Sequence, residues 1–126
     1  MDGIELLKKR FKDWAIKVIL FTRNFPDLPE FRACRNQLVR CAPAAAANYR
    51  AACRSKSDKD FLNKLKIVEE ELDESIFWIE FAIELEPKLF EEGKPLLKEG
   101  DELLRITVSS IGTTRNKIRN KKMDFK

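Results

Sequence analysis

Apolar residues recur along this chain at steps of three and four, the spacing that lines one face of an α-helix. Four stretches carry the pattern. Phe11, Trp14, Ala15, Val18, Phe21 and Phe25 predict a first helix over about Ile4 to Asn24, with Lys8, Lys9, Lys12 and Asp13 on its solvent side. Phe31, Cys34, Leu38, Cys41, Ala45, Tyr49 and Ala52 predict a second over Phe31 to Arg54. Phe61, Leu65, Val68, Leu72, Ile76, Ile79 and Ile83 predict a third over Asp58 to about Leu85, nearly in heptads. Leu96, Leu97, Leu103, Leu104, Val108 and Ile111 predict a fourth over about Lys94 to Ile111 or somewhat beyond, with Gly100 a weak point.

The punctuation between these stretches agrees. The residue before a proline is pushed out of α geometry, so Asn24-Phe25-Pro26 and Glu86-Pro87 end helices. Ser57 followed by Asp58 and Asp60 is an N-cap with acids in the first turn. Gly93 and Pro95 make Lys88–Pro95 a connector, and after Gly112 the chain turns polar and basic, as in a frayed tail. Short links between amphipathic helices give an all-α, up-down-up-down antiparallel four-helix bundle over residues 1–112, with a tail over 113–126. Pro43 removes one backbone donor inside the second helix and predicts a kink there, and Ala44–Ala47 let a neighbour approach closely.

Some apolar residues exceed what one bundle needs. Ile19 and Leu20 widen the first helix's arc, and Phe77, Trp78 and Phe81 lie off the third helix's stripe. Either the core face is wide or these five residues belong to an oligomer interface.

Composition removes most catalytic classes. The 126 residues suffice for one domain with a real core, and 4 Gly and 5 Pro argue against a turn-rich β fold. There is no histidine, which excludes Ser-His-Asp and Cys-His triads and the Glu-x-x-His di-iron site. No phosphate-binding glycine loop is present. Cys34, Cys41 and Cys53 form no CxxC pair, so zinc is not expected and they count as small buried hydrophobes. No span approaches the ~20 apolar residues of a membrane helix. The N-terminus lacks a signal-peptide core, so a cytoplasmic protein without enzymatic activity, cofactor or metal is expected. The pairs Glu71/Glu74 and Glu99/Glu102 resemble magnesium-holding motifs of all-α nucleotide pyrophosphohydrolases, but such pairs arise easily on charged helices.

Charge is unevenly spread. Residues 29–56 hold 6 basic and 1 acidic residue, 57–86 hold 3 and 10, and 112–126 hold 6 and 1. The basic segments nominate Arg32, Arg35, Arg50, Arg54, Arg115, Lys117, Arg119, Lys121 and Lys122 as phosphate contacts for RNA or a ribonucleoprotein. The competing account pairs the central arginines with the acidic run Glu69–Glu74 and leaves the chain a protein-protein interaction module. Asn48, beside the inward stripe, reads as a structural hydrogen-bonder.

Phe11-Lys12-Asp13-Trp14, Thr22-Arg23-Asn24-Phe25-Pro26, Gln37–Pro43, Ala47-Asn48-Tyr49 and Arg54–Phe61 occur in an order and spacing that is similar to the bacterial S23-type family. These are four-helix-bundle proteins encoded in intervening sequences of 23S ribosomal RNA genes. Asn48-Tyr49-Arg50-Ala51 and Cys41-Ala42-Pro43 depart from the family's usual Asn-Ile-x-Glu-Gly and Ala-Ala-x-Ser-Ile-Pro. The resemblance implies a ring-like homopentamer of unassigned molecular function. The fold is also similar to the accessory protein of diversity-generating retroelements, which implies by analogy a basic surface for RNA.

Overall fold

The computed structural model describes residues 2–124, and among them every regular element is helical. Helix α1 spans Gly3–Thr22, α2 Pro29–Ala52, α3 Asp58–Leu85 and α4 Phe90–Asp124, with a 3₁₀ turn at Pro87–Leu89 before α4. Side-chain caps start two of them: Asp2 accepts from the Glu5 N–H at 2.8 Å and Ser57 from the Asp60 N–H at 3.1 Å. Helix α2 opens on Pro29, where a missing N–H costs nothing, and runs unbroken across Pro43.

Helix α1 packs on α2 and α4, and α3 packs on α2 and α4, which closes a four-membered cycle. Link 23–28 reaches at most about 20 Å, too short to return along the ~30 Å of α1. Neighbours therefore run antiparallel, and side-chain pairs record it. Phe11 stacks on Tyr49 at 4.6 Å while Phe25 meets Phe31 at 5.4 Å. On the other side of α1, Arg10 reaches Glu99, and Asn24 reaches Glu92.

The predicted stripes form the core. Phe11, Trp14, Val18, Phe21, Leu38, Leu65, Leu72, Ile79 and Leu103 are fully enclosed. The Trp14 Nε1–H donates to the Leu96 carbonyl at 3.0 Å, so the largest core side chain also has its polar atom satisfied. Cys34 and Cys41 are buried as expected, and burial raises both thiols above the usual range. Cys53 is only partly enclosed. Asn48 Nδ2 donates to the Ala44 carbonyl at 2.8 Å, a local structural bond.

Three expectations require correction. Helix α4 starts at Phe90 rather than Lys94, because Gly93 is a packing position and not a turn. A Cβ there would sit 2.5 Å from Ile83 Cδ1 and 3.2 Å from Phe21 Cζ, so a larger residue would force those side chains to shift. Val108 faces solvent, 47% exposed, and Thr107 takes the inward position with its hydroxyl donating to the Leu103 carbonyl. Last, the expected frayed tail over 113–126 is helical to Asp124, and 125–126 lie outside the described residues. Thr107, Ile111 and Thr114 are buried and Ile118 half-buried, so the stripe continues at steps of three and four.

That continuation makes α4 longer than its partners. Arg10 lies level with Glu99 and Glu102, so the start of α1 at Gly3 lies near residue 109 of α4. The last 15 residues of α4 extend about 22 Å beyond α1. The start of α3 and the α2–α3 link flank them, with Ile4 of α1 lining a cleft beside Lys121, and there Lys121 binds Asp58 at 2.6 Å.

That ion pair is testable. Lys121 holds the Asp58 carboxyl below the usual aspartate value of 3.8. A carboxyl whose folded value is depressed contributes stability above its unfolded value and loses it as pH falls through the folded one. We expect the Asp58 side-chain carbon to titrate below 3.8 and to move upward in Lys121→Gln, read by carbon NMR. An unchanged midpoint would dissolve the pair.

Candidate nucleic-acid interface

Cations gather at one end of the bundle, where α1 and α3 begin and α2 and α4 finish. Between α1 and α2 lies a groove of about 790 Å³. Its floor is apolar and small, with Ala15, Ile16, Ile19, Pro43, Ala46 and Ala47. Lys8, Lys9 and Lys12 line one wall and Arg50 and Arg54 the other, with Glu5 the one acid. The local sequence explains the shape. Pro43 and the alanine run withdraw side-chain bulk from α2, while residues 8, 12, 15, 16 and 19 of α1 recur at helical spacing on the facing side.

Lys8 leans on Glu5 at 2.9 Å and Lys9 binds Asp13. Lys12, Arg50 and Arg54 have no ion-pair partner among the described residues. Around the corner, Lys56, Ile118, Lys121 and Lys122, with Asp58 the one acid, line a second cleft of about 490 Å³ between the α2–α3 link and the end of α4. Arg115, Lys117 and Arg119 are exposed on the same last turns.

The nominated residues therefore do not form one patch. Arg50, Arg54, Arg115, Lys117, Arg119, Lys121 and Lys122 share the basic end. Arg32 is 18 residues from Arg50 on the same helix, about 27 Å away, and it binds Asp27 at 2.6 Å. Arg35 is exposed beside it, also away from the cluster. Lys8, Lys9 and Lys12 complete the groove although their own helix marked them only as solvent-facing. Tertiary packing of α1 on α2 supplies that, and a one-dimensional stripe does not carry it.

The acidic run does not neutralise the groove. Glu71 and Glu74 both engage Arg40, whose guanidinium is held further above its usual value chiefly by the Glu74 hydrogen bond. Glu99 and Glu102 both engage Arg10, at 2.7 and 3.0 Å, and the Glu99 hydrogen bond is the main cause of that guanidinium's raised pKa. Each acidic pair flagged by its spacing thus carries an arginine from the adjacent helix. Among the described residues no group of three or more His, Cys, Asp or Glu is arranged to hold a metal ion.

The nominated interface residues lie outside the deep core. Phe77 and Phe81 are 54% and 37% exposed, Leu20 is exposed, and Ile19 is half-buried in the groove floor. Trp78 packs partly against the core and closes an aromatic triad with Phe77 at 5.0 Å and Phe81 at 5.4 Å. No helix is long and apolar enough to cross a membrane among the described residues.

Residues 6–109 match the family model of the 23S rRNA-intervening sequence protein. A similar fold occurs in the crystal structure of a protein with unknown function from the S23 ribosomal protein family of Bacteroides thetaiotaomicron VPI-5482. The two share 23% identity at a TM-score of 0.72, over 83% of this chain and 97% of that one. No curated protein matches the chain.

Proposed function

The chain belongs to the 23S rRNA-intervening sequence protein family, and from that premise we propose a non-enzymatic, self-assembling scaffold that grips RNA, free or within a ribonucleoprotein, on its basic end. The observation that carries this is the convergence of Lys8, Lys12, Arg50 and Arg54 on one groove, continued by Lys56, Lys121 and Lys122 at the same end. Phosphate affinity needs several cations on one surface, and the unpaired ones keep their full charge for a ligand. The exposed aromatic triad supports the self-assembly, for which the family resemblance implies a homopentamer. Copies of a weak basic patch held together act multivalently. That Arg10 and Arg40 engage the two acidic pairs supports the non-enzymatic part.

A mobility shift with mixed RNA across a salt series tests the proposal. With about six phosphate contacts on a single strand, affinity falls about 300-fold between 50 and 200 mM salt. No shift at about 50 mM would end the RNA reading and leave a protein-protein interaction module.

A further inference from the structure

A third cleft, of about 350 Å³, opens where the start of α1, the end of α2, the start of α3 and the end of α4 meet. That volume lies near the lower end of small-ligand sites, ~300–1,000 Å³. It has room for one nucleoside-sized group and none for a partner helix, about 10–12 Å across.

The lining is of three kinds. Ile4, Ala52 and Phe61 make an apolar wall, with Ile4 exposed and the Phe61 ring only half-buried, so a flat base finds a surface to lie on. Tyr49, Cys53 and Ser55 bring uncharged hydrogen-bonding groups. The Ser55 hydroxyl oxygen is buried and has no hydrogen-bond partner among the described residues. Such orphans are few in a folded protein, and a ligand in the cleft would satisfy this one. Burial, and to a lesser degree Cys53, raises the Tyr49 phenol above its ordinary value, so it stays a neutral donor. Lys56 and Lys121 supply positive charge against the single acid Asp58. Lys121 already answers Asp58, which leaves Lys56 without an ion-pair partner among the described residues. The α1/α2 groove has cations too, but neither an aromatic ring nor an uncharged polar side chain lines it.

Resting on the RNA reading above, we infer that this cleft takes one unpaired nucleotide of the RNA, its base on the Phe61 wall and its phosphate on Lys56 and Lys121. Phosphate contacts in the groove position a strand without reading its bases. An unstacked base laid on an aromatic ring is how proteins distinguish single-stranded RNA. A duplex keeps its bases stacked inward and leaves the cleft empty. An unpaired strand therefore gains the about 5- to 150-fold in affinity that one stacked base contributes.

Cys53 provides the test. It lines the cleft and is only partly enclosed, whereas Cys34 and Cys41 are fully buried, so N-ethylmaleimide should label it alone. The adduct is uncharged and occupies the cleft. Labelled protein should bind a single-stranded RNA of mixed sequence about 5- to 150-fold more weakly. The salt slope should not change, because no phosphate contact is lost, and affinity for a fully paired RNA of the same length should stay as it was. Undiminished single-strand binding, or an equal loss on both RNAs, would overturn the cleft and leave the RNA reading standing. Absence of binding by the unlabelled protein would remove the RNA reading and the cleft together. Should the adduct unfold the chain, as circular dichroism checks, protection of the native protein decides. Single-stranded RNA should then slow Cys53 alkylation in proportion to the fraction bound, and an unslowed rate at saturation would sink the proposal.

Discussion

Trp14→Ala is expected to destabilise the bundle by about 3–5 kcal/mol, the range for deleting a buried aromatic side chain. The ring is 1% exposed and packs where α1, α3 and α4 meet, against Ile76 and the α carbon of Gly100. Neighbours cannot collapse into the gap easily, because that contact is with a glycine backbone that has no side chain to swing inward. The Leu96 carbonyl also loses the indole donor and keeps only its helical one. A domain of this size has about 5–15 kcal/mol in all, so the variant should unfold at a much lower urea concentration, and part of it should be unfolded at 37 °C. Trp14→Phe keeps most of the volume and removes only the indole N–H; the Leu96 carbonyl keeps its helical donor from Gly100, so the expected loss is about 0.5–1.5 kcal/mol for one hydrogen bond. Urea denaturation of both variants separates packing from hydrogen bonding. Equal losses would mean that the Leu96 bond carries the whole effect.

Arg50→Ala/Arg54→Ala is expected to weaken RNA binding about tenfold at 0.2 M salt and about seventyfold at 0.05 M, taking ~0.7 released counterions per phosphate contact on single strands. The widening of the defect at low salt is the diagnostic. A folding defect would lower the active fraction equally at every salt concentration, whereas loss of two phosphate contacts flattens the salt slope by about 1.4. Arg32→Ala is the control on the same helix. It sits about 27 Å away beside Asp27 and should change affinity by less than about twofold. An equal loss in Arg32→Ala would mean that the whole length of α2, and not its basic end, tracks the RNA.

The spacing of apolar residues was enough to place the core of α1, α2 and α3, because helical periodicity acts through local geometry. On α4 it placed Leu96, Leu103 and Ile111 but missed the inward Thr107 and the last turns, for a definite reason. Thr107 and Thr114 are polar by composition yet bury readily once each hydroxyl bonds a carbonyl of the preceding turn. Scored as polar, they hide four turns of helix. Gly93 misled in the opposite sense, since a glycine that permits close approach looks in sequence like one that permits a turn. At the candidate site, Arg50 and Arg54 were nominated from charge density alone. Lys8 and Lys12 were legible only as a solvent face, and Arg32 was grouped with Arg50 although a rigid helix separates them. Arg40 shows the same limit: its engagement by Glu71 and Glu74 depends on the α2–α3 register.

The 22 Å overhang of α4 divides that helix into two thermodynamic regimes. Amides up to about residue 109 exchange with solvent only when the bundle as a whole opens, because α1 and α3 cover both flanks of the helix. Beyond that point the helix loses a flank, and its remaining tie near the end is the exposed Lys121–Asp58 pair. Only Ile111, Thr114 and Ile118 pack inward there, so hydrogen-exchange protection should step down below the global unfolding free energy across the last four turns. A ligand that grips Arg115, Arg119 and Lys122 would raise protection in those turns first and leave the rates around Leu103 unchanged. Bound RNA would then register as a local gain of protection at one end of one helix.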